Sequence, residues 1–160
     1  MHKMSKAPSI VPLAIYGITA LLALVTLLDF ALPGTVYTEE VTRVQKKKQR
    51  YYNAGGNSHN SYEVVTPKHQ FSVAEDIAKS AEGKSMSYTV SLLFQEVNSY
   101  SILPSQDRSI YSFRLISGFV LPLLLLLAIG IKFRSKKDLS ILLFVLQLLV
   151  AGNFIWLLFW

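Results

Sequence analysis

The chain has 160 residues, 51% of them hydrophobic, no cysteine and a formal net charge of +6. Its length suits one modest domain beside membrane-spanning segments, and the lack of cysteine excludes disulfides, thiol catalysis and cysteine-ligated zinc or iron–sulfur sites. An excess of positive charge can mark a nucleic-acid partner, so where the charges fall along the chain is decisive.

Residues 1–9 form a short tail carrying Lys3 and Lys6. From Ile10 to Leu28 the sequence "IVPLAIYGITALLALVTLL" has no charge for 19 residues. Crossing about 30 Å of hydrocarbon takes roughly 20 helical residues, and the pattern predicts a transmembrane helix over 10–32. The apolar run exceeds the roughly 7 to 15 residues of a signal-peptide core, and "DFALPGT" after it offers no A-x-A cleavage pattern, so it is expected to stay as an anchor. Asp29 comes near the outer end of this helix, where interfacial water is expected to solvate it.

Residues 33–110 change character: Ser, Thr, Tyr and Val are common, with nine basic and eight acidic residues. A folded aqueous domain is expected, nearly neutral, so the net charge comes mainly from the chain's other segments and nucleic acid is not expected as a partner. Thr35 to Val44 reads as a strand running on through the lysines to Tyr52. "NAGGNSHN" reads as a long turn, and Ser61 to Thr66 as the returning strand, stopped by Pro67. Ser72 to Glu75 has the S-x-x-E form of a capping box before a short helix to about Ala81, with Gly83 placed as its C-terminal cap. Met86, Tyr88, Val90 and Leu92 alternate with Ser87, Thr89 and Ser91, the mark of a half-buried strand. "FQEVNSYSI", Phe94 to Ile102, reads as one more, and Pro104 to Arg108 as a polar linker.

Leu115 to Ile131 has no charge for 17 residues, about 26 Å of helix. Extending it back through Tyr111, with Arg114 snorkelling to the interface, predicts a second transmembrane helix over 111–131. The loop "KFRSKKD" (132–138) is strongly basic, and an uncharged stretch predicts a third helix over 139–160. Basic flanks favour the cytoplasm, so the tail and the 132–138 loop are expected inside, with residues 33–110 and the C-terminus outside. Lys46, Lys47 and Lys48 lie close enough to the first helix to pull the other way.

The expected fold is therefore an integral membrane protein of the cell membrane: three transmembrane α-helices, with a small β-rich (α+β) extracytoplasmic domain inserted between the first and second. His59, Glu63 and His69 are the best metal candidates, but their spacing matches no zinc signature. Glu75 and Asp76 suit a helix N-terminus better than an acid–base pair. With no nucleophile elbow, Walker loop or dinucleotide fingerprint, neither catalytic residues nor cofactors nor metals are expected. Gln147 and Asn153 lie about 240° apart around a helix and are expected to hold neighbouring helices through amide hydrogen bonds.

What is left is the basic segment "RVQKKKQRYY". Arg43, Lys46, Lys47, Lys48, Arg50, Tyr51 and Tyr52 are the candidate contact residues, facing anionic lipid or an acidic patch on a partner; the bland reading is a charged strand edge that resists pairing with other chains. The expected function is non-catalytic: an accessory or assembly subunit whose outward module binds or positions a membrane-protein partner. The alternative is a homo-oligomeric pore or transport component lined by the third helix.

Overall fold

In a computed structural model the chain is described over residues 10–50, 58–105, 107–135 and 138–159. It forms two compact units, one from the residues up to Ala31 together with those from Ile116 onward, the other Leu32–Leu115.

Three stretches are long and apolar enough to cross a membrane. The first is α1 (Ile10–Ala31). The second, Ser112–Arg134, comprises α3 (Ser112–Leu115), a π-helical turn (Ile116–Val120) and α4 (Leu121–Arg134). The third is α5 (Ser140–Phe159). The second continues three residues past Ile131, so Lys132 and Arg134 belong to the helix, where cations suit the negative C-terminal end of the helix dipole. Asp138 takes hydrogen bonds from the backbone N–H and the hydroxyl of Ser140 at the start of α5, and these bonds hold its carboxyl below the ordinary carboxylate range.

Within the helical unit α1, α4 and α5 pack on one another around Ala23, Leu125, Leu143, Leu146 and Val150. Burial is inverted relative to a water-soluble bundle. Leu21, Leu124, Leu127 and Leu148 are exposed, whereas Thr19, Thr26, Asp29 and Ser117 are buried. Asp29 has no exposed surface at all, which corrects the expectation of an interfacially solvated carboxylate.

Pro122 sits at the start of α4 and has no N–H to continue the helical ladder. In π geometry the donor to Ser117 would come from the fifth residue on, which is that proline. Asn153 Nδ2 donates to the Ser117 carbonyl oxygen at 3.2 Å.

The Leu32–Leu115 unit contains two antiparallel three-stranded sheets. One orders β1 (Thr35–Glu40), β5 (Ser85–Val90) and β6 (Val97–Ile102); the other orders β2 (Arg43–Arg50), β3 (Ser58–Val65) and β4 (Gln70–Val73). The long strand expected from Thr35 through the lysines is thus two strands in different sheets. Consecutive amides split at the join: Val41 N–H donates to the Lys84 carbonyl and Thr42 N–H to that of Val65, both at 2.9 Å. Val41 turns into the core with 2% of its surface exposed.

The expected capping box does not form. Ser72 belongs to β4, a strand absent from the sequence reading, and α2 (Glu75–Ala81) begins after Ala74 with no side-chain cap. Pairing with β3 gives Ser72 a ladder partner in Glu63. Gly83 does adopt the left-handed conformation after α2, φ +70°, which costs glycine little. Ala78 and Ala81 are buried on α2, which packs on β3.

On β5, Met86, Tyr88 and Val90 are buried while Ser85, Ser87 and Thr89 are not. The alternation stops there: Leu92, read as its next member, is 52% exposed. Gly34 is required where β1 begins, because a methyl group there would overlap the backbone carbonyl of Val90. Between the pairs Thr89–Ser99 and Val90–Val97 the β5–β6 register shifts by a bulge, and Asn98, the residue it leaves over, is buried. Bulges commonly re-aim a side chain; here the side-chain Oδ1 of Asn98 accepts from Arg114 Nε at 2.9 Å. Arg114, expected to snorkel to the interface, is 4% exposed.

Candidate functional site: a projecting basic hairpin

The register of β2 on β3 sorts the cations onto two faces. Arg43, Lys46, Lys47 and Lys48 stand opposite Val65, Tyr62, Ser61 and Asn60, and Arg50 opposite Ser58. Strand periodicity puts Val44, Lys46 and Lys48 on one face and Arg43, Gln45 and Lys47 on the other. The first is the core face, since Val64, the partner of Val44, is fully buried. β4 pairs with β3 only from Tyr62 to Val65. Beyond Tyr62 the described hairpin is a two-stranded ribbon, with Lys46 at its root and Lys48 further out.

The two faces differ electrically. Lys47 meets Glu63 at 2.8 Å, and the Gln70 amide also donates to Glu63. Lys46 instead lies 5.7 Å from the centroid of the Tyr62 ring, a cation–π arrangement. Tyr62 Oη donates to Glu75 at 3.1 Å, while Lys79 meets the same carboxylate at 2.8 Å. The hydrogen bond from Lys79, then that from Tyr62, holds the Glu75 carboxyl below its usual range. Among the described residues, Lys46 and Lys48 enter no ion pair. β2 is an edge strand, so its outer row of backbone groups faces away from the sheet. Arg43 is exposed on the opposite face, at the base of the ribbon. Arg50 closes the strand, and Tyr51 and Tyr52 lie outside the described residues.

A second polar constellation joins the two sheets, and sequence reasoning missed it. Buried Tyr88 Oη donates to Glu39 Oε2 at 2.7 Å, lies 3.1 Å from Thr66 Oγ1 and 2.9 Å from His69 Nδ1. A phenol has one proton. With that proton on Glu39, His69 must donate from Nδ1, which fixes the imidazole tautomer. Burial pushes the Tyr88 phenol up to about 12, and the Tyr88 hydrogen bond holds Glu39 below the ordinary carboxylate range. Lys68 adds a cation 3.8 Å from Glu39 and 5.1 Å from the Tyr37 ring. A phenol so reluctant to ionise stays neutral at pH 7, and its hydrogen bonds to groups from both sheets suit a clamp between them. Alternation on β5 pointed Tyr88 inward, but nothing local pointed to Glu39, 49 residues earlier.

Of the metal candidates, Glu63 is committed to Lys47 and Gln70, and His69 to Tyr88; His59 lies opposite Gln49 in β3. Among the described residues no group of three His, Cys, Asp or Glu side chains could hold a metal ion. In the helical unit, Gln147 Nε2 donates to Thr19 Oγ1 at 3.1 Å and Asn153 to the Ser117 carbonyl, so α5 is tied to α1 by one amide and to the π turn by the other. Compared with protein-family models, curated proteins and solved structures, the chain finds no match in any of the three.

Proposed function

We propose that this is a non-catalytic multi-pass protein of the cell membrane, an accessory or assembly subunit that presents its β-rich module outside the cytoplasm and engages a membrane-protein partner through the β2–β3 hairpin. The observation that carries the reading is the charge asymmetry of that ribbon. Lys47 is neutralised by Glu63, whereas Lys46 and Lys48 share the other face, Lys46 level with the last pair of β3 with β4 and Lys48 beyond it. A ribbon of this kind suits an acidic surface on the partner, where charge complementarity sets specificity and encounter rate.

Membrane insertion is supported by the three apolar helices and by their exposed leucines and buried hydroxyls. Orientation rests on the basic tail and on the basic stretch 132–138, with Lys132 and Arg134 in the last turn of α4 and Lys136 and Lys137 after it in sequence. The pore alternative finds less support, because Gln147 and Asn153, the polar groups a lumen would need, are engaged within the helical unit.

The test compares the wild-type chain with Lys46→Gln/Lys48→Gln, both purified in mild detergent, with co-purifying proteins identified by mass spectrometry. A stoichiometric membrane protein should accompany the wild type, leave with rising salt and be lost from the double variant, while Lys84→Gln retains it. Equal recovery with the double variant at every salt concentration would remove the hairpin from the interface.

A further inference from the structure

We infer that the β5–β6 loop, Ser91–Glu96, is a lipid-binding foot that dips into the outer membrane interface. The inference rests on the proposal that the apolar helices span a bilayer.

Chain connectivity places the loop. β1 starts at Thr35, four residues after the last residue of α1, and Thr35 pairs with Val90. Val90 in turn pairs with Val97. The loop closing these two strands therefore leaves the sheet at the end where the chain arrives from the first apolar span. The second span gives the same answer independently: Arg114, its third residue, bonds to Asn98, next to Val97. Both connections to membrane-spanning sequence converge on one end of this sheet, and Ser91–Glu96 is the hairpin turn at that end.

The loop's chemistry fits lipid. Leu92 and Leu93 are 52% and 60% exposed, and "SLLFQ" carries no charge. A segment entering the interface must also satisfy its own backbone, since the acyl region offers no water. Here Ser91 N–H donates to the Glu96 carbonyl at 2.8 Å and Glu96 N–H to Ser91 Oγ at 3.1 Å. Gln95, at φ +57°, turns its amide back to the Leu92 carbonyl at 3.2 Å. These three hydrogen bonds lie within the turn while Leu92 and Leu93 are exposed, which suits shallow insertion better than exposure to water.

The absence of cysteine makes a spin-label test direct. Leu92→Cys, Ser85→Cys and Leu124→Cys are each prepared in the full chain, labelled and reconstituted in liposomes. Ser85 begins β5 at the opposite end from Val90, and Leu124 is an exposed residue of the second span. The ratio of collisions with oxygen to collisions with a water-soluble nickel chelate should be several-fold higher at Leu92 than at Ser85, approaching that at Leu124. A ratio at Leu92 equal to that at Ser85 would overturn the foot and leave the membrane reading intact. Shielding of Leu92 from both reagents would also overturn it, in favour of cover by protein. A water-like ratio at Leu124 would overturn the membrane reading itself.

Discussion

The helical unit and the β-rich unit use polar groups in opposite ways. Among helices, polar side chains are few and inward: Thr19, already donating to the Ile15 carbonyl, accepts from Gln147, and Asn153 reaches the π turn. In the β-rich unit the buried face is mostly apolar, with Val64, Met86 and Val90 nearly sealed from solvent; one phenol gathers the polar contacts between the two sheets, Arg114 and Asn98 form another buried polar contact, and Lys46, Lys47 and Lys48 are exposed. The proposed membrane insertion explains the contrast. Apolar packing gains nothing by leaving lipid, so hydrogen bonds and close fit hold helices together there, whereas burial itself drives a water-facing core.

Charging the β5 core should give the largest break in this pattern. Val90→Asp puts a carboxylate where 1% of the side chain is exposed and should cost several kcal/mol, read as lost protease resistance of the full chain in detergent. Thr89→Asp, one residue away on the outer face, should stay within about 1 kcal/mol. Equal resistance of the two variants would mean that the two faces are not distinguished.

Tyr88→Phe removes the clamp while keeping the ring, and leaving Glu39 and His69 without their shared partner should cost about 1–3 kcal/mol. The clamp also sets a pH window. Its folded-state pKa lies above the unfolded value, so its contribution is complete below pH 10 and is lost as pH rises from about 10 to about 12. Alkaline thermal melts should fall across that window in the wild type and less in Tyr88→Phe. Glu39 acts at the other extreme: its folded-state pKa is lowered, so its contribution is present above its ordinary value of 4.5 and declines as pH falls below it.

Smaller effects should follow in the helical unit. Gln147→Leu loses one interhelical hydrogen bond, worth about 0.6 kcal/mol, measurable by reversible unfolding in mixed micelles. A loss of several kcal/mol would show that polar contacts carry more of this bundle than the contrast implies. Smallest of all, Lys46→Gln/Lys48→Gln should leave stability within about 0.5 kcal/mol, because neither lysine pairs with an acid among the described residues, while association with a partner should lose its salt dependence.

Local regularity made part of this legible. Long uncharged runs announced the three apolar helices, since each residue of such a run faces the same requirement, and alternation on β5 announced which side chains point inward, since a strand's period is two. Leu92 was misread because alternation cannot say where pairing ends; Ser72 was misread because the same four residues that spell a capping box can also finish an edge strand.

Only the tertiary structure decided what depends on distant partners. The chain changes sheets at Val41 and Thr42 because their amides find acceptors in two different ladders, with no glycine or proline to mark the break. Arg114 is buried because a bulge turns Asn98 toward it, and Tyr88 becomes a clamp because Glu39 and His69 arrive from other strands and turns. The sequence by itself determined that cations would crowd onto one β-strand. The register of that strand, and the point at which β4 stops, decided that Lys47 is neutralised by Glu63 while Lys46 stacks on Tyr62 and Lys48 lies beyond β4.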